Sequence, residues 1–121
     1  MSKTVEEFAI MGRTPAEVKN EALRWFNSKK MNVMENQDLM IKARWGLGLT
    51  TAPKYFQVFL SSVDGGVKIR IEGWISAYGK EQSFSRTALL GAVPRREGWH
   101  AMEQLSAALK ALQTSLPSSP G

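Results

Sequence analysis

The stretch Phe56-Gln-Val-Phe-Leu-Ser-Ser-Val63-Asp64-Gly65-Gly66-Val67-Lys-Ile-Arg-Ile71 decides the fold. Phe56, Val58 and Leu60 take one side of the first run, and Tyr55, Gln57 and Phe59 the other. After the turn, Val67, Ile69, Ile71, Gly73 and Ile75 alternate with Lys68, Arg70, Glu72 and Trp74. A period of two is the period of a β-strand. Asp64-Gly65-Gly66 is hairpin chemistry, because glycine reaches positive φ without a steric penalty.

Upstream, Leu39, Ile41, Ala43, Trp45 and Leu47 alternate with Met40, Lys42 and Arg44. Residues 31–35 read as a further strand, joined to this one through the turn residues Asn36-Gln37-Asp38. Residues 6–12 read as a short first strand. Between them, Thr14-Pro15-Ala16-Glu17 is a helix start: a hydroxyl cap, a proline in the first turn and a glutamate that completes a capping box. The helix runs to about Lys30, with Val18, Ala22, Trp25 and Phe26 on one face. Downstream, residues 82–90 are left open as strand or ordered loop. A second helix is expected from Glu97 to about Gln113, with Trp99, Met102, Leu105, Leu109 and Leu112 in one stripe. Thr114–Gly121, rich in Ser and Pro, reads as a disordered tail. The tripeptide Glu-Gly-Trp occurs at 72–74 and again at 97–99 and reads as coincidence.

The expected architecture is α+β: one domain over residues 1–113, with a single antiparallel sheet of four to six strands and two helices on one face, in the order β-α-β-β-β-β-α. This order, across residues 6–113, resembles the TATA-binding-protein-like fold. It is also similar to the helix-grip fold of the pollen-allergen and START lipid-binding families. That second resemblance implies a long C-terminal helix lying across a curved sheet and enclosing a cavity.

Composition bounds the chemistry. The 121 residues carry 16 basic and 11 acidic side chains, a net charge of +5. Residues 42–100 hold nine basic and four acidic groups, so the whole surplus lies in the sheet and the loop after it. A basic surplus favours anionic partners. The acidic N-terminus and the lack of a long apolar run predict a cytoplasmic protein without a membrane span. No cysteine is present, which excludes disulfides, thiolate nucleophiles and thiolate metal sites.

Three places could carry chemistry. On the open sheet face, Lys42 and Arg44 are expected near Lys68 and Arg70, with Tyr55, Phe59 and Trp74 in the same outward phase. Cations interleaved with aromatics suit single-stranded nucleic acid, and the same aromatics suit a homodimer interface. At the start of the second helix, Arg95 and Arg96 beside a helix N-terminus would welcome an anion. The single histidine, His100, has Glu97 and Glu103 three residues to either side, but these diverge around the helix and read as surface rather than metal ligands. No cofactor motif occurs, and no catalytic set converges. The expected role is a non-catalytic binding module for an anionic partner. The alternatives are a homo-oligomeric interaction protein, or a carrier whose small apolar ligand lies between sheet and helix. The carrier requires a cavity of ~300 Å³ or more lined by Trp45, Ile71, Trp99 and Met102; a filled core is the expectation for so short a chain.

Overall fold

The computed structural model describes residues 3–46, 52–77, 80–86 and 92–114. Its elements are β1 (Thr4–Met11), α1 (Pro15–Ser28), β2 (Asn32–Gln37), β3 (Met40–Trp45), β4 (Lys54–Val63), β5 (Gly66–Ala77), β6 (Lys80–Ser83) and α2 (Ala92–Thr114). All strand pairs are antiparallel, in the order β1-β5-β4-β3-β2. β5 is long enough to serve two partners on one edge: β1 pairs with residues 66–73 and β6 with residues 74–77. The fold is thus the expected α+β arrangement with one more strand than the expected order. β6 occupies only the start of the open 82–90 region, whose last residues, like the expected tail beyond Thr114, lie outside the described residues.

The hairpin divides its work between two glycines. Gly65 takes a φ of 77°, the left-handed region that favours glycine. Gly66 is already in β5. A Cβ there would lie 2.1 Å from the Ile10 carbonyl oxygen, so its bare backbone lets β1 approach.

α1 begins as the sequence predicts. Thr14 Oγ accepts from the Glu17 N–H (3.2 Å), and the Glu17 carboxylate accepts in turn from the Thr14 N–H (2.9 Å). At its far end Lys30 adopts a left-handed φ of 58°, and the Met31 N–H bonds the Phe26 carbonyl at 3.0 Å, a common way to satisfy the last turn.

Both helices cover the same sheet face. Val18, Ala22, Trp25 and Phe26 of α1 and Ala101, Met102, Leu105 and Leu109 of α2 meet Ile41, Ala43, Phe56, Val58, Leu60, Val67, Ile69, Ile71 and Ile75 of the strands. Burying each large apolar side chain contributes ~1.5–3 kcal/mol.

α2 departs from expectation. It starts at Ala92, five residues before Glu97. Pro94 falls in the first turn, where its missing N–H costs no helical hydrogen bond, so it begins the helix instead of blocking it. The glycines of the two Glu-Gly-Trp tripeptides share a neighbour. Gly73 and Gly98 flank the ring of Phe84, and a Cβ at either would sit within 2.2 Å of that ring. Phe84 is buried, with its centroid 5.2 Å from that of Phe56. It fills the space between sheet and helix.

Candidate functional site

On the outer sheet face the strand register sets four rows. Arg44, Tyr55, Trp74 and Ser83 form one, Lys42, Gln57 and Glu72 the next, Met40, Phe59, Arg70 and Glu7 a third, and Ser61, Lys68 and Ala9 a fourth. Lys42 and Lys68 are therefore separated by β4 and by about 13 Å along the strands. The four expected cations share a face without converging.

Acidic neighbours occupy two of the four, Arg70 and Lys42. Arg70 donates to Glu72 (2.8 Å) and Glu7 (3.2 Å). These bonds, Glu72's first, hold its guanidinium above its ordinary pKa. Lys42 lies 3.9 Å from Glu35, and Lys3 3.7 Å from Glu72. Trp74 points outward as expected, yet it is only 5% exposed. Its ring stacks on Tyr55 at 5.5 Å, with the Lys3 ammonium 4.3 Å and the Lys42 ammonium 5.5 Å from its centroid. A ring already sandwiched by aromatic and cations offers no free face to a base. Arg44 Nε is buried with no acceptor among the described residues. A depression of about 200 Å³ lies farther along this face, lined by Glu7, Phe59, Leu60, Ser61, Lys68 and Arg70.

The arginine pair lies beyond the first turn of α2, because the helix starts early. Arg95 Nε donates to the Ser83 carbonyl (2.8 Å), and the Arg95 carbonyl accepts from the Ser85 N–H (3.0 Å). Arg95 thus fastens α2 to the segment after β6. His100 pairs with Glu103 at 3.5 Å on the surface, while Glu97 turns away to Lys54.

Lys54 and Glu6 are the polar residues that sequence reasoning missed. Lys54 is 4% exposed on the helix-facing side of β4. Its ammonium lies 3.3 Å from Glu97 Oε1 and 4.8 Å from the Trp45 ring centroid. The signal was present, since Lys54 shares the phase of Phe56 and Val58. Glu6 shares the phase of Phe8 and Ile10 on β1. It accepts from the buried Ser106 hydroxyl and from Lys110 Nζ (3.1 Å), tying β1 to α2.

Beside that tie, a cleft of about 340 Å³ opens between β1 and α2, lined by Thr4, Val5, Glu6, Trp99, Met102 and Glu103. It contains two of the four residues expected of a carrier cavity. Ile71 is fully buried in the core instead, and Trp45 is covered by Lys54. The cleft lies between the edge strand β1 and α2, while Phe84 fills the space between β5 and α2. Trp99 Nε1 is buried without an acceptor among the described residues. Among these residues no group of three metal-ligating side chains gathers, and no helix is long and apolar enough to cross a membrane.

No protein-family model matches the chain, and no curated protein resembles it in sequence. Solved structures do resemble its backbone. A hypothetical protein, jhp0584 from Helicobacter pylori, aligns with a TM-score of 0.51 and 13% identity, over 93% of this chain and 88% of its own. TTHA0849 from Thermus thermophilus gives 0.45 and 10%, over 96% and 99%. Ara h 8.0201 gives 0.46 and 12%, over 93% and 97%. Nothing in these comparisons supports the TATA-binding-protein-like resemblance or a nucleic-acid role. At 13% identity the likeness to the Helicobacter pylori protein extends to the fold and stops there.

Proposed function

We propose that this protein is a non-catalytic binding domain for a small, largely apolar ligand held in the cleft between β1 and α2. The cleft itself carries the reading: about 340 Å³ with Val5, Trp99 and Met102 as apolar walls and Thr4, Glu6 and Glu103 as polar points. Ligand sites are concave, mostly apolar and furnished with a few polar groups, and ~300–1,000 Å³ is their usual size. A nucleic-acid role has less support, because acidic partners occupy Lys42 and Arg70 and the Trp74 ring is covered. The test is a thermal-shift screen of small amphipathic molecules, followed by nuclear magnetic resonance titration of the isotope-labelled protein. Stabilising compounds are expected to move the resonances of Val5, Met102 and the Trp99 indole. Stabilisers that move only outer-face residues such as Lys68 and Phe59 would refute the cleft.

One observation favours a second reading. β1 is an edge strand, and Val5 and Met11 on it are exposed. Unpaired edges with apolar side chains invite a second copy. Sedimentation across a concentration series separates the readings: mass that doubles with concentration supports pairing.

A further inference from the structure

Resting on the cleft as the binding site, we infer that its ligand is a small amine, with an apolar body against Trp99 and Met102 and its cationic end toward Glu103. The protein is basic overall, at +5, yet the cleft has the opposite sign. Among the described residues its lining contains two carboxylates, Glu6 and Glu103, and no lysine or arginine. The two carboxylates differ in availability. Glu6 already receives Ser106 and the Lys110 ammonium. Among the described residues Glu103 has only His100, at 3.5 Å, and histidine balances a carboxylate only when protonated. With His100 neutral, the rim therefore carries one unmatched negative charge beside apolar walls that include an indole ring. A carboxylate ligand would meet repulsion there, and a neutral one would leave Glu103 to water. An ammonium satisfies the carboxylate and suits an aromatic wall.

Glu103 is more than half exposed, so the preference is modest. An exposed ion pair contributes roughly 0.2–1 kcal/mol.

The test compares three ligands with the same benzyl body: 2-phenylethylamine, 2-phenylethanol and phenylacetate. Each is titrated by nuclear magnetic resonance at about pH 8, above the range in which histidines ordinarily carry charge. The readouts are the Trp99 indole N–H and the Met102 methyl. The amine is expected to bind about twofold to fivefold more tightly than the alcohol, and phenylacetate more weakly than either. Glu103→Gln, at an exposed position, is expected to remove that preference while the protein stays folded. If the alcohol binds at the cleft as tightly as the amine, or if Glu103→Gln leaves the preference intact, the amine inference is overturned and the cleft reading stands. If none of the three moves these resonances, the amine inference is overturned, and if the thermal-shift stabilisers also act elsewhere the cleft reading falls with it.

Discussion

Gly73 of β5 and Gly98 of α2 face the same aromatic ring, that of Phe84, and each lacks the one atom that would collide with it. Gly98→Ala sets two effects against each other. Alanine favours a helix by ~1 kcal/mol over glycine. A Cβ 2.1 Å from the Phe84 ring forces displacement in a packed core, at about 1–3 kcal/mol. The clash should win, and urea denaturation should show net destabilisation. Phe84→Leu in the Gly98→Ala background should recover part of the loss, whereas additive losses would refute the shared packing.

Lys54 and Glu97 should respond unequally. Lys54→Met keeps the buried stem packing against Trp45 and removes the charge, so it should cost less than about 1 kcal/mol. Glu97→Ala leaves the 4%-exposed lysine without its carboxylate and should cost about 1–3 kcal/mol. Equal losses in thermal melts would count against a desolvated lysine.

The start of α1 makes a prediction with a pH sign. The Thr14 N–H is the main cause holding the Glu17 carboxyl below its ordinary value, and Arg13 adds to it. A depressed folded-state pKa gives stability that is present above the unfolded carboxylate range and is lost as the pH falls through the folded value. Glu17→Gln should therefore melt earlier than the parent at neutral pH. The gap should narrow below about pH 4.5 and go on closing as the pH falls further. A gap independent of pH would exclude the charge as its source. Thr14→Ala should cost ~1 kcal/mol at either pH.

The outer-face ladder predicts that Trp74 is structural. Trp74→Ala should cost ~3–5 kcal/mol, the usual loss for a buried tryptophan. Lys68→Glu, at an exposed site, should stay within about 0.5 kcal/mol. Labelled single-stranded DNA, duplex DNA and RNA should show no anisotropy change at low salt, where phosphate contacts are strongest. Salt-sensitive binding that Lys68→Glu weakens would restore the nucleic-acid reading.

Local rules read well in this chain. The hairpin at Asp64, the cap at Thr14 and the buried faces of α1 and β5 follow from turn chemistry and from periods of 2 and 3.6. Phase alone placed Lys42, Lys68, Arg70 and Trp74 on one face. It could not supply register, and register put Glu72 in the row of Lys42 and Glu7 in that of Arg70. The early start of α2 was not legible, although Pro94, which ends a helix from within, suits its first turn. The cleft was half legible: Trp99 and Met102 were on the expected stripe. Its other wall belongs to β1, about a hundred residues earlier. Only the tertiary fold sets Thr4 and Glu6 beside α2.

The shared edge of β5 also orders events in time. Glu7 and Arg70, partners in the sheet, are 63 residues apart, and Glu6 waits for Ser106, 100 residues on. A chain emerging from a ribosome therefore makes β1 long before anything exists to pair with it. The β2–β3–β4 meander can zip from neighbour to neighbour, whereas β1 must cross the loop-closure barrier that slows folds with distant contacts. Loop closure alone therefore predicts that β1 docks late, and that the cleft it borders forms late with it.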